Sequence, residues 1–211
     1  MKLFVTCLFA AVLLPGVPAQ NPPVTNNSPT NAPSFMITLV QDVEEGLTLG
    51  QRPVVNVKGV KYTGVFPGNY RIRYSDEHKR IVGYHPNNSC TLTMAFWPPA
   101  KLEKDEKFDH NFLRWWIQEQ SNNGKIVNES WRSSLGKNVP LFDVAWKTEA
   151  GIDQTTRIAF IPLADAIIEV SVMSNPEKFE ANALAHADLL GSLRKSDQDG
   201  KLEFNRLSNR N

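Results

Sequence analysis

The chain has 211 residues, of which 41% are hydrophobic and 21% are charged, a balance typical of a soluble globular protein with one domain. Lys and Arg together number 23 and Asp and Glu number 22, so the net charge is close to zero. A near-neutral chain has no global attraction to nucleic acid or to an anionic membrane surface, and no nucleic-acid partner is expected.

Residues 1–19 have the order of a secretory signal peptide. Lys2 is followed by the apolar run LFVTCLFAAVLL and then by small residues at Val17 and Ala19. We therefore expect cleavage after Ala19 and a secreted or periplasmic product. The apolar run is too short for a stable membrane anchor and no second run follows, so no membrane span is expected.

The remaining chain divides by composition into three parts. Residues 20–34, QNPPVTNNSPTNAPS, contain four prolines and four asparagines and predict a disordered linker. Residues 35–194 predict a single globular domain, and residues 195–211 a polar C-terminal tail. Removal of the leader would leave Cys90 as the only cysteine, which excludes an intramolecular disulfide.

The first half of the domain predicts strands. FMITLV and PVVNVKGVKY have strand chemistry but are interrupted by glycines, and their arrangement stays open. YRIRY and KRIVGYH flank the turn-like SDEH and predict a hairpin. CTLTMAFW alternates as a strand and ends at Pro98 and Pro99.

The second half predicts two helices around four strands. A helix is expected over 107–120, with Gly124 suited to a left-handed C-terminal cap. IVNESWRSSL, VPLFDVAWK, TTRIAFIPL and AIIEVSVM predict strands, and a final helix is expected over 176–194. Ser174 or Asn175 is the expected N-cap of this last helix.

Strands with short connections predict an α+β fold: a mainly antiparallel sheet flanked by helices, an α/β/α sandwich. This order of elements, over residues 70–194, resembles the PsbP/Mog1/DcrB-like group of small α/β proteins. The resemblance implies an accessory or binding protein rather than an enzyme, because several exported members of that group have such roles.

Cys90 and His186 are the candidates for a catalytic pair. In CTLTMAFW, Cys90 shares the more apolar face of its strand with Leu92, Met94 and Phe96, so a buried, inert thiol is expected. His186 lies in the apolar stripe of the last helix and is expected to face Cys90 more closely than His85 does. The pattern favours core packing over catalysis for both residues, since a nucleophilic thiol needs partial exposure.

Two further patterns are candidate binding sites. The helix FDHNFLRWWIQEQ places Phe112 and Trp116 at the centre of its apolar face. Trp115 lies at the edge of that face, where a tryptophan often marks a contact surface, and is the candidate binding residue. KSDQDGKLEFNR resembles a calcium loop through Asp197 and Asp199, but cations stand where its first and last carboxylates belong. No metal or cofactor is therefore expected.

The preferred hypothesis is an exported non-catalytic accessory or binding protein with a protein or small-molecule partner. One alternative is a secreted hydrolase or thiol-dependent enzyme that uses Cys90 and His186. Another is a weak calcium-responsive module that uses Asp197 and Asp199. Asn-x-Ser sequons, at which glycosylation is conditional on the source, begin at Asn26, Asn87 and Asn128.

Overall fold

The computed structural model describes residues 35–44, 47–57, 59–75, 79–85, 90–97, 108–121, 124–163 and 166–196. The predicted signal peptide, the predicted linker and the tail beyond Ser196 lie outside these residues and stay predictions. Within the described ranges, none of the helices has both the length and the apolar character to cross a membrane.

Strands dominate the described chain, and two α-helices interrupt them. The strands are β1 (Phe35–Glu44), β2 (Leu47–Val57), β3 (Val60–Thr63), β4 (Phe66–Pro67), β5 (Arg71–Ser75), β6 (Arg80–Tyr84), β7 (Thr91–Trp97), β8 (Lys125–Ser134), β9 (Lys137–Lys147), β10 (Asp153–Pro162), β11 (Ile167–Ser174) and β12 (Arg194–Ser196). The helices are α1 (His110–Gln120) and α2 (Phe179–Ser192), and a 3-10 turn, Pro176–Lys178, precedes α2.

The larger sheet has seven strands in the order β5-β6-β7-β11-β10-β9-β8, and every neighbouring pair is antiparallel. It consists of two meanders, β5-β6-β7 and β8-β9-β10-β11, which join where β7 pairs with β11. The predicted hairpin is the β5–β6 pair, and the four strands predicted after the first helix are β8 to β11. The α+β fold with a mainly antiparallel sheet is therefore confirmed.

A second sheet contains the segment whose arrangement the sequence left open. β1, β2, β3 and β12 pair in that order, and β4 pairs with β2. β12 begins at Arg194 and pairs with β3, so the chain continues as a strand into the first two residues of the predicted tail. Val55, Tyr62 and Phe66 of this sheet are buried in the same core as α2.

The two faces of the seven-stranded sheet are covered differently. One face, called here the α2 face, packs against α2 and the second sheet through residues such as Leu92, Val170 and Leu189. The opposite face, called the α1 face, packs against α1. Leu113 and Ile117 are the buried centre of α1, whereas Phe112 and Trp116, which the helical pattern placed there, are only half-buried. Full burial of such a side chain contributes about 1.5–3 kcal/mol.

The end of α1 differs from the prediction. The helix ends at Ser121, whose N–H donates to the carbonyl of Ile117 at 2.8 Å, and Gly124 has no left-handed backbone conformation. Gly124 is instead required by close packing, because a Cβ at this position would lie 2.5 Å from Cβ of Ser121. The prediction of a left-handed cap at Gly124 was wrong.

The start of α2 is held by packing rather than by a side-chain cap. Asn175 occupies the N-cap position of the 3-10 turn, but its side chain makes no capping hydrogen bond. The Oγ of Ser174 accepts a 2.8 Å hydrogen bond from Nδ2 of Asn182, one turn into the helix. Both residues are buried, so this bond fixes the helix against the end of β11.

A tight turn joins β8 to β9. Leu135 and Gly136 are its two central residues, with φ of 48° and 71°. Two successive left-handed residues define a two-residue hairpin of type I′, whose twist matches the twist of the flanking strands. The turn therefore fixes the register in which Ser134 pairs with Lys137.

We predict that Gly136→Ala lowers the free energy of unfolding by about 1 kcal/mol, because an L side chain at a left-handed φ is strained. A Cβ at Gly136 meets no atom within 4 Å, so the loss reports backbone strain alone. The matched control is Gly191→Ala in α2, where a Cβ also has open space. That change is expected to stabilise the protein by up to about 1 kcal/mol. Urea unfolding of the two variants measures the difference, and equal effects would contradict the assignment of the turn.

Candidate binding site

The first turn of α1 presents an imidazole to the α1 face of the sheet. The carboxylate of Asp109 caps the helix by accepting from the N–H groups of Asn111 and Phe112, at 3.0 and 3.1 Å. This cap fixes the position of His110, the first residue of the helix. The backbone position of His110 is therefore fixed independently of the contacts of its ring.

The ring of His110 lies between two aromatic rings. Its centroid is 5.3 Å from that of Trp131 on β8 and 5.3 Å from that of Phe142 on β9, with interplanar angles of 28° and 22°. Phe142 is fully buried, whereas Trp131 is 53% exposed. The stack therefore runs from the core to the surface and holds Trp131 at its outer end.

A charged pair fixes the orientation of the same imidazole. Nε2 of His110 donates to Oε2 of Glu129 at 2.8 Å, and the other carboxylate oxygen of Glu129 accepts from Arg114 at 2.8 Å. Because the carboxylate is the acceptor, Nε2 carries the proton and Nδ1 is the ring's remaining polar atom. Stacking and hydrogen bonding together leave the ring little freedom to rotate.

Beside this stack lies a cleft of about 260 Å³. Rings form most of its wall: Phe108, His110, Trp131, Phe160, Pro140 and Pro162. Lys137 and Asn138, just after the β8–β9 turn, supply polar groups at its edge. Nζ of Lys137 donates to the carbonyl oxygen of Pro162 and so connects the turn to the end of β10. An apolar cleft with a few polar groups at its edge is the usual form of a small ligand site.

Trp115, the predicted contact residue, is not part of this cleft. It is 54% exposed, and its ring packs at a tilt against Phe112 with centroids 5.9 Å apart. Sequence reasoning missed His110, Glu129 and Trp131. The one available signal was the alternation of β8, which puts Glu129, Trp131 and Ser133 on the same face.

Cys90 is buried, with 2% of its surface exposed. Its Sγ lies 3.4 Å from the hydroxyl of Tyr70, and burial raises the pKa of the Cys90 thiol, against the opposing effect of that hydrogen bond. Leu92, Met94 and Phe96 share its core, as the alternation of the strand predicted. A neutral, enclosed thiol is a poor nucleophile.

His186 does not meet Cys90. Its Nε2 donates to the carbonyl of Val170 at 3.0 Å, and Val170 pairs with Met94, four residues from Cys90 and about 13 Å away along the strand. His85 is the nearer histidine, because its backbone N–H donates to the backbone carbonyl of Cys90 at 3.3 Å. The expectation that His186 would face Cys90 more closely than His85 was therefore wrong.

The ring of His85 lies edge-on to Tyr70, at 5.3 Å between centroids. The amide of Asn69 donates to Nε2 of His85 at 2.7 Å. The imidazole of His85 thus contacts the ring of Tyr70, whose hydroxyl lies against Sγ of Cys90.

His186 is 1% exposed, and its Nδ1 has no hydrogen-bond partner among the described residues. Burial lowers the pKa of His186 to about 4, although the bond to Val170 acts in the opposite direction. Arg157 lowers this pKa further and Asp143 raises it. The imidazole is therefore neutral near pH 7 and belongs to the core.

The candidate calcium ligands Asp197 and Asp199 lie outside the described residues. Within the described ranges, no group of three or more His, Cys, Asp or Glu could hold a metal ion.

The sequons at Asn26 and Asn87 also lie outside the described residues. Asn128 is exposed on β8, and its amide donates to Asp143 at 2.9 Å. Glycosylation of Asn128 would have to break this bond.

Comparison with known proteins gives similar folds at low identity. No family model and no curated protein matches the sequence. Cyanobacterial PsbP (CyanoP) from Synechocystis is 8% identical with a TM-score of 0.45, and the match covers 80% of this chain and 98% of that protein. The Ran-binding protein Mog1p of Saccharomyces cerevisiae is 11% identical with a TM-score of 0.47, over 76% of this chain and 96% of that protein.

A structure from Bacteroides thetaiotaomicron is 13% identical, with a TM-score of 0.43. The match covers 65% of this chain, and the chain spans 46% of that longer protein. The order of elements in the sequence resembles the PsbP/Mog1/DcrB-like group, and PsbP and Mog1 are both among the similar solved structures. With TM-scores below 0.5, these similarities carry no conclusion about function.

We predict that the thiol of Cys90 reacts with an aromatic disulfide reagent only as fast as the protein unfolds, because the sulfur is enclosed. The full thiol count should appear in concentrated guanidinium, and Cys90→Ala identifies the signal. Fast stoichiometric labelling of the folded protein would contradict the buried position of this residue.

We predict that His186 makes stability depend on pH. Its pKa is about 4 when folded and about 6.5 in the unfolded chain, so the unfolded chain binds a proton between these values and the folded chain does not. Stability should therefore fall as pH falls through this window, by about 2 kcal/mol between pH 7.5 and pH 5. Urea unfolding at both pH values measures the change.

The control is His186→Gln, whose amide keeps a donor for Val170 but does not titrate. Its loss of stability between the two pH values should be smaller than that of the wild type by about 2 kcal/mol. Glu169, whose pKa burial raises, contributes in the opposite direction but equally in both proteins. An unchanged pH dependence in the variant would contradict the assignment to His186.

Proposed function

We propose that this chain is an exported, non-catalytic accessory protein that binds one ring-bearing apolar group of a partner in the cleft beside Trp131. The observation that carries the proposal is the stack of Phe142, His110 and Trp131, which holds an exposed tryptophan in place at the wall of an apolar cleft. A platform that is ordered in advance binds at a lower entropic cost than a mobile side chain.

The size and chemistry of the cleft support this kind of occupant. A volume of about 260 Å³ suits one aromatic or proline ring rather than a large cofactor. Rings pack favourably against the faces and edges of Trp131 and Phe160, and tryptophan is enriched among residues that dominate binding energy. Asn138 can then orient a polar group attached to the ring.

The charged groups near the cleft support binding over catalysis. The two carboxylate oxygens of Glu129 accept from His110 and from Arg114. Nζ of Lys137 donates to the carbonyl oxygen of Pro162. Cys90 and His186, the candidates of the enzyme hypothesis, are enclosed and separated from each other. Export rests on the N-terminal residues, whose order is that of a signal peptide.

Titration with N-acetyl-tryptophan amide, followed by two-dimensional NMR of the ¹⁵N-labelled protein, tests the proposal. We predict shifts of the indole N–H of Trp131 and of the amide of Asn138, with a dissociation constant in the range of about 1 mM expected for a fragment of this size.

Trp131→Ala should weaken this binding at least about tenfold, because the wall of the cleft is lost. Trp115→Ala is the matched control, since that tryptophan is equally exposed but lies outside the cleft, and it should bind normally. Shifts that cluster elsewhere, or an equal effect of both variants, would refute the proposed site.

A further inference from the structure

β8 is an edge strand of the seven-stranded sheet, and its outer side has no partner strand among the described residues. The opposite edge, β5, is five residues long and exposes Arg71 and Arg73, charges of the kind that discourage strand pairing. β8 is ten residues long, and on it Val127 and Trp131 are each more than half exposed. The two edges are therefore not equally protected.

The turn at Leu135 and Gly136 determines which backbone groups of β8 point outward. In a two-residue hairpin the flanking pair, Ser134 and Lys137, is hydrogen-bonded, and the bonding then alternates along the strands. The N–H and C=O groups of Glu129, Trp131 and Ser133 therefore face away from β9. The partner of Trp131 across this hairpin is Pro140, which has no N–H to donate, as this alternation allows.

The side chains of the same residues lie on the α1 face. Trp131 and Glu129 both contact His110 there. A strand added to β8 would thus bond to the backbone of Trp131 and place the side chain opposite it on the same face, beside the indole.

We infer that the added strand is β8 of a second copy of this chain, paired antiparallel about a two-fold axis at Trp131. In this register Trp131 lies opposite Trp131 of the second copy, Glu129 opposite Ser133, and Ser130 opposite Arg132. Registers centred on Glu129 or on Arg132 would place two like charges opposite each other. The register centred on Trp131 avoids both clashes and pairs the exposed indoles, so the strand is complementary to itself.

The inference goes beyond the proposed function and has a consequence for it. A two-fold axis between antiparallel strands of one sheet is perpendicular to that sheet, so the α1 faces of both copies face the same direction. The two clefts would then open on the same side of a continuous sheet, with the paired tryptophans between them. A partner that carries two suitable groups could bind both clefts at once.

Sedimentation velocity of the full-length chain tests the inference. The interface is small, so we expect a monomer–dimer equilibrium with a dissociation constant on the order of 1–100 μM. Trp131→Lys places two positive charges opposite each other and should leave the protein monomeric over this range. The control is Trp115→Lys, an equally exposed tryptophan away from the edge, which should dimerise as the wild type does.

Two further experiments test the same interface if Trp131→Lys disturbs folding. An equimolar mixture of W131K and W131E should form dimers that neither variant forms alone, which only a register with residue 131 opposite itself explains. Ser133→Pro removes one outward N–H without breaking a β8–β9 bond, and should also abolish the dimer.

Ser133→Pro is expected to leave the binding of N-acetyl-tryptophan amide unchanged, because Ser133 does not line the cleft. Loss of the dimer with retained binding therefore separates this inference from the proposed function. A monomer throughout the concentration range overturns the inference. So does a dimer that survives both W131K and Ser133→Pro, or growth into open polymers, which would indicate pairing of β8 with β5.

Discussion

The pairing of β7 with β11 is the constraint on which the larger sheet depends. It joins two antiparallel meanders that are otherwise separate along the chain, and it makes both strands central. A central strand is covered on both faces, which is why residues 91–96 are buried without interruption. This arrangement places Cys90, the residue before β7, next to Tyr70 in the core and removes it from contact with solvent.

The elements that pack on the two faces of this sheet differ in size, and the cleft results from that difference. The α2 face is covered by α2 together with a second sheet, whereas α1, at the other face, has only eleven residues. Leu113 and Ile117 are the buried residues of α1, and the cleft lies beside the first turn of this helix, where residues of β8 and β10 line it. His110 stands at this boundary and stacks against Trp131.

Local patterns in the sequence predicted those features of the fold that depend on residues close together along the chain. Alternation predicted β7 and the face of Cys90, and the hairpin of β5 and β6 followed from two strand-like segments around a turn. The candidate site could not be predicted in the same way, because His110 meets Glu129 and Phe142 only when α1 docks on a sheet that forms from distant residues. Gly124 shows the same limit in part: a Cβ there would also lie 2.9 Å from Val144 of β9, a contact that no local pattern contains.

The turn at Leu135 and Gly136 links a local backbone conformation to the outer surface of the sheet. Two left-handed residues fix the hairpin register, the register fixes which N–H groups of β8 face outward, and these belong to the residues whose side chains line the α1 face. A one-residue slip would turn Trp131 to the opposite face and separate it from His110. The strand edge and the aromatic stack are therefore two consequences of one register, and neither can change without the other.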